Sequence, residues 1–168
     1  FFEEKIEQFD FNRISGIDAV VHLAAQASVP LSVTNFAESS SSNLLGTIHI
    51  IDYCRLKNIP FVYASSSAVY GNLPLGDDES GNVNLLTPYA TDKYAMELYA
   101  ITCHQIYNLS SVGLRFFNVY GPRQDPSSPY SGVISIFADR ISRSCEIVVN
   151  GGHQTRDFVY VKDVVDTI

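Results

Sequence analysis

Short apolar runs rich in Val, Ile and Phe alternate with longer stretches in which apolar residues recur every three to four positions. The first run, DAVVHLA at 18–24, is continuous rather than alternating, which predicts a buried strand. A Ser/Pro loop follows, and then a helix over about 38–57. FVYASS at 61–66 predicts a second strand, and a Gly/Pro/Asp-rich loop spans 71–87. Pro88 opens a helix that runs to about 108, because a missing N–H costs nothing in the first helical turn. VGLRFF at 112–117 is a third strand, and 121–131 is a loop with three prolines. Residues 134–143 read as a helix, 146–149 as a short strand, and the chain is helical again from Val161.

Continuous apolar strands separated by helices describe a parallel sheet covered on both faces, the doubly wound α/β arrangement. Ligands of such sheets bind just beyond the carboxyl ends of the strands, which gives every candidate residue a positional test. There is no internal repeat, and the serine runs at 39–42 and 65–67 are too short to count as low complexity.

Composition narrows the function. The 168 residues are 46% hydrophobic and only 17% charged, against roughly 25% charged in an average globular chain, so a sizeable core is expected and disorder is excluded. With 11 Lys+Arg against 18 Asp+Glu and no basic cluster, the net charge of -7 argues against nucleic acid or an anionic membrane as partner. Cys54, Cys103 and Cys145 form no CxxC pair, so neither a zinc knuckle nor a disulfide framework is expected and a reducing, cytoplasmic compartment fits. His49, His104 and His153 show no metal-ligand spacing, and no metal site is expected. No apolar run approaches the roughly 18 residues of a membrane span, and the acidic start FFEEKIEQFD is unlike a signal peptide. Opening on Phe1 and closing on VVDTI inside a helical pattern, the sequence is expected to be cut from a longer protein.

The candidate chemistry begins at Tyr89-Ala-Thr-Asp-Lys93. Four residues on a helix bring the two side chains onto one face, where an ammonium favours the ionised phenol. A Tyr of ordinary pKa, about 10, is a poor base at neutral pH, and a nearby cation makes it a usable one. The spacing recurs by chance at Tyr53 and Lys57, but that pair ends a helix leading into a strand, on the side away from the catalytic edge, and reads as a surface pair. Tyr89 and Lys93 open the helix after the second strand and fall at the correct edge. That strand ends in Ser65, Ser66 and Ser67; the triplet could merely cap a turn, or one hydroxyl could hold a substrate hydroxyl while the phenolate takes its proton.

In this order, VVHLAAQASVP, SSNLLGT, YASSSAVYG, PYATDK, LRFFNVYGPRQDP and GGHQTRDFVYVKDVV resemble the extended short-chain dehydrogenase/reductase family, and within it the nucleotide-sugar 4-epimerases. The resemblance runs from about Val20 to the end. It implies a Rossmann-like NAD-binding sheet that lacks its first strands and most of its substrate domain, with 1–131 carrying the catalytic residues and 132–168 beginning the substrate-binding region. It implies Ser66, Tyr89 and Lys93 as the catalytic set, Ser66 standing four positions before Tyr70 of the VYG element with Ser65 and Ser67 close behind. Beside NAD it places Ala24, Ala25, Gln26, Asn43, Ser65, Tyr89, Lys93 and Phe116. Against a UDP-sugar it places Ser28, Ser66, Asn118, Val133 and Arg156, the last as a bidentate cation for the diphosphate. His22 reads instead as a satisfied core imidazole. A homodimer through the Tyr89 helix and the helix before it is the family's expectation.

The implied chemistry is epimerisation at C4 through a 4-keto sugar, with NAD regenerated each turnover. UDP-GlcNAc/UDP-GalNAc is favoured from GPRQDPSSPYSGVI, with UDP-glucose and UDP-glucuronate epimerases behind it. Dehydratases of the family carry Asp-Glu where this chain has Ser67 and Ala68, which disfavours removal of water. A non-catalytic nucleotide-binding member is the rival of a different class, and an intact Ser66, Tyr89 and Lys93 argue against it. Two departures bear on the site: Asn150-Gly151-Gly152 and Val149 replace a family GDG and the aromatic before it, and no glycine-rich NAD loop occurs anywhere. The 168 residues by themselves are therefore expected to be inactive and prone to aggregate, an expectation that a soluble NAD-loaded preparation would contradict.

Overall fold

The computed structural model describes every residue except Leu75, Asp77, Asp78, Pro129 and Asn150. Parts of the 71–87 and 121–131 loops, and the Asn150 departure, lie outside the described residues. The chain divides into two compact units, Phe1–Arg115 and Phe116–Ile168.

In the first unit, β1 (Val20–His22), β2 (Phe61–Ser66) and β3 (Ser111–Phe116) lie side by side in that order. β1 runs parallel to β2 with Val20 opposite Phe61 and His22 opposite Tyr63. Between β1 and β2 come α1 (Val29–Thr34), α2 (Phe36–Ser40), a π-helical turn at Ser41–Leu45 and α3 (Gly46–Lys57). Between β2 and β3 comes α4 (Pro88–Tyr107), begun by the Thr87 side chain, which accepts from the Ala90 N–H, and by Pro at the first turn. Asn58 and Asn108, at φ 53° and 56°, end α3 and α4 in the left-handed conformation that asparagine tolerates best after glycine.

Side chains alternate across a strand, and register puts His22 beside Tyr63 and Val21 beside Val62. Phe61 and Tyr63 join Ile50, Ile51 and Cys54 of α3 and Met96, Ala100 and Cys103 of α4 in one buried cluster. The opposite face is not buried: Val21, Leu23 and Val112 are each about half exposed. The parallel α/β class expected from the continuous apolar runs is found, with α3 and α4 of this chain packed over the Phe61 and Tyr63 face. Tyr53, read from its spacing as half of a surface pair, belongs to this core, 7% exposed and stacked on Phe11 at 5.0 Å. The turn after β2 closes at Gly71, whose φ of 57° and whose approach to the Asn84 carbonyl leave no space for a Cβ.

The second unit pairs β4 (Asn118–Tyr120) in parallel with β5 (Phe158–Tyr160), with α5 (Val133–Ser142) between them and α6 (Val161–Thr167) after β5. Because this pairing ties 118–120 to 158–160, packing divides the chain after Arg115, ahead of the boundary after 131 that the motifs lead one to expect. The strand expected at 146–149 does not form. Ile147, Val148 and Val149 are exposed with no neighbouring strand, and β propensity without a ladder partner does not make a strand.

Candidate active site

Tyr89 stands at the start of α4, 9% exposed, its backbone N–H donating to the fully buried Ser32 hydroxyl of α1 at 3.2 Å. The Ser66 side chain lies beside the Tyr89 phenol and favours its ionised form. Ser66 Oγ accepts from the Ala68 N–H at 3.2 Å, which leaves its own proton free to point at an oxygen in front of the strand tip. Lys93, one turn along α4 and 2% exposed, donates to the Ala64 carbonyl at 2.7 Å, with Nζ 5.8 Å from the Tyr89 ring centroid.

The electrostatics differ from those expected of the motif. Burial raises the Tyr89 pKa above its ordinary value, and the Ser66 side chain offsets this only in part. Burial likewise lowers the Lys93 ammonium to about 8, against an opposing pull from Asp92. The phenol is thus not acidified in advance by its neighbour, because both groups are desolvated together.

Strand alternation separates the serines. Ser66 faces the phenol, whereas Ser65, 3% exposed, faces inward and donates to Glu97 of α4. Ser65, expected beside the cofactor, has its hydroxyl turned away from the tip. Glu97 is held by Arg115 of β3 through Nε at 2.9 Å and Nη2 at 2.6 Å, and Arg115 Nη1 donates to the Tyr70 hydroxyl at 3.0 Å. This network escaped sequence reasoning; the available signal was a Glu four residues after Lys93 and so on the same helical face.

A second network fixes the tip of β1. The Thr47 hydroxyl donates to the Asn43 carbonyl at 2.6 Å, so the 2.9 Å contact with His22 Nε2 requires the imidazole to donate there. Asn43, 1% exposed in the π turn, accepts from the Gln26 N–H at 2.7 Å and donates to the Gln26 carbonyl at 3.1 Å. Asp92 accepts from the Ser40 hydroxyl at 3.0 Å, and burial raises its pKa against the pull of Ser40, Asn43 and the Lys93 charge. Asn43, which the resemblance places near the cofactor, is enclosed and fastens the Gln26 peptide. Ala24 and Ala25 are exposed beyond β1, and Ser28 caps α1 through the Leu31 N–H at 3.3 Å.

In the second unit, Asn118 donates through its backbone N–H and its side chain to the Asp157 carbonyl, at 3.0 and 3.1 Å, and so lies beside the residue that follows Arg156. Arg156 is exposed and donates to the Thr155 carbonyl. Phe116 is half-buried at the end of β3, and Val133 is exposed at the first turn of α5. Among the described residues no group of three His, Cys, Asp or Glu side chains could hold a metal ion.

A parallel α/β sheet with Ser66, Tyr89 and Lys93 near one strand tip is a Rossmann-like architecture. The sequence profile described as the NAD dependent epimerase/dehydratase family matches residues 5–168, and the chain belongs to that family. It is 34% identical over 180 residues to a UDP-glucose 4-epimerase of Mycolicibacterium smegmatis, covering 97% of this chain and 57% of that protein. Among solved structures, the UDP-N-acetylglucosamine 4-epimerase of Methanobrevibacter ruminantium in complex with UDP-N-acetylmuramic acid superposes with a TM-score of 0.90 at 40% identity, covering 98% of this chain and 55% of that one. The UDP-glucose 4-epimerase of Thermus thermophilus in complex with NAD gives 0.79 at 38% identity, covering 89% of this chain and 51% of that one. The chain spans about half the length of the relatives it matches.

Proposed function

We propose that the chain carries the catalytic half of an NAD-dependent UDP-sugar 4-epimerase, with UDP-GlcNAc and UDP-GalNAc as the favoured pair. The observation that carries this reading is the Tyr89 phenol beside the Ser66 side chain, with Lys93 Nζ, one turn along α4, 5.8 Å from the Tyr89 ring centroid. The residues present fit the nicotinamide and ribose end of NAD. Ala24 and Ala25 expose only methyl groups beside the Gln26 peptide, and Lys93 uses one of its three N–H donors on Ala64. When bound, NAD supplies the acceptor for the hydride of C4 and returns it to the other face of the sugar ring.

The chain's own part is acid–base chemistry. Ser66 donates a hydrogen bond to the C4 oxygen, and the Tyr89 phenolate takes the C4 hydroxyl proton as the C4–H bond breaks, leaving a 4-keto sugar. After the sugar turns over, the phenol returns that proton to the carbonyl oxygen. Burial opposes ionisation of Tyr89 in the free chain, so the Lys93 charge is assigned the role of stabilising the phenolate as it forms during turnover. UDP-glucose and UDP-glucuronate are the second choice of substrate, supported by the UDP-glucose 4-epimerases among the relatives. The negative Sequence balance and three free cysteines, two of them buried, suit a cytoplasmic enzyme; no described helix is long and apolar enough to cross a membrane. A second copy of the chain is the proposed partner, docked on the exposed leucines of α3 and α4, and the 168 residues without the remainder of the fold are proposed to be inactive.

The test is interconversion of UDP-GlcNAc and UDP-GalNAc by the full-length protein. Tyr89→Phe is expected to lower turnover by about 10²–10⁴-fold. Unchanged turnover would reject Tyr89 as the base, whereas activity confined to UDP-glucose would reject only the choice of sugar.

A further inference from the structure

We propose that Glu97 and Arg115, acting through Ser65 and Tyr70, are positioning residues that aim the Ser66 hydroxyl at the Tyr89 phenol. The inference rests on the epimerase reading and deepens it. β2 ends at Ser66 and passes at once into a single tight turn, Ser67–Tyr70. The ion pair grips that turn at both ends. Before it, the Ser65 hydroxyl donates to Glu97; after it, the Tyr70 hydroxyl accepts from Arg115 Nη1 at 3.0 Å. Successive strand residues face opposite ways, so holding Ser65 inward holds Ser66 outward.

The clamp also ties Ser66 to its partner. Glu97 lies on α4 eight residues after Tyr89, and Arg115 lies on β3, so the helix that carries the phenol and the strand beside β2 are joined through one carboxylate held by two guanidinium nitrogens. The pair is largely buried, with Glu97 8% exposed. A buried ion pair loses much of its attraction to desolvation, and apolar residues of similar volume would hold the fold as well. What apolar residues would not supply is directional hold on two hydroxyls at once.

The experiment uses the full-length protein in single turnovers, so that slow variants are still read. Ser65→Ala, which removes one hydroxyl, and Glu97→Gln are each expected to lower kcat by about tenfold with KM for the UDP-sugar little changed, since misaimed groups impair the transition state more than binding. In a Ser66→Ala background the same two changes are expected to cost nothing further. Equal losses in both backgrounds, or a rise in KM with kcat unchanged, would overturn the inference. Should Glu97→Gln fail to fold, Ser65→Ala carries the cycle by itself. Full activity in Tyr89→Phe would defeat the underlying reading, whereas loss in Tyr89→Phe with additive Ser65 and Ser66 effects would defeat this inference only.

Discussion

His22 shows how a single buried group makes the fold sensitive to acid. Burial first, and the Lys93 charge second, lower its pKa from 6.5 to about 4. Between those two values the unfolded chain binds a proton that the folded chain refuses, so stability falls as pH drops from 6.5 to 4 and the loss is complete below it. Linkage puts the loss at about 3 kcal/mol. Urea midpoints measured at pH 7 and pH 4.5 are expected to converge for His22→Gln and diverge for the unaltered protein; identical pH dependence would contradict the assignment. At this scale the sequence was legible where chemistry follows spacing along one helix, as for Tyr89 and Lys93. It was silent where the answer depends on which way a strand faces. The resemblance prefers Ser66, but which way Ser65 faces needed the Glu97 contact, and the enclosure of Asn43 needed the π turn.

Elements were legible where the chain states its own ends. Pro88 and the residues around it mark the start of α4, and FVYASS reads directly as β2. The same kind of signal, Ser28 followed by Pro30, begins α1, yet within a Ser/Pro-rich stretch it reads as a loop. The π turn at Ser41–Leu45 has no local mark, since a widened turn arises from what the helix is bonded to on either side. The failed strand at 146–149 shows the reverse: a β-branched run with no partner. The turn that closes the Ser67–Tyr70 segment offers a direct check. Gly71→Ala would combine a left-handed backbone with a Cβ driven against the Asn84 carbonyl, and is expected to destabilise the protein by about 1–3 kcal/mol in thermal or urea unfolding. Stability equal to the unaltered protein would show that the turn relaxes freely.

For the molecule as a whole, the proposed pairing of two copies makes a plain demand on surface residues. Leu45 of the π turn, Leu56 of α3 and Leu98 and Ile106 of α4 are 43%, 65%, 48% and 65% exposed, more apolar surface than two neighbouring helices need present to water. Leu98→Asp in the full-length protein is expected to shift sedimentation from dimer to monomer, and an unaltered dimer would place the interface elsewhere. The fold class was readable at this scale because alternation of strand and helix survives in half a sheet, whereas the bare face carrying Val21, Leu23 and Val112 was not visible in residues that look equally apolar on both sides. One feature of the β1 tip reaches furthest. The peptide of Gln26 is gripped by both ends of the Asn43 amide, so a guest lying along that edge finds its seat already rigid. Few torsions are left to arrest on docking, and affinity there follows the guest's own shape and freedom more than any rearrangement of the host.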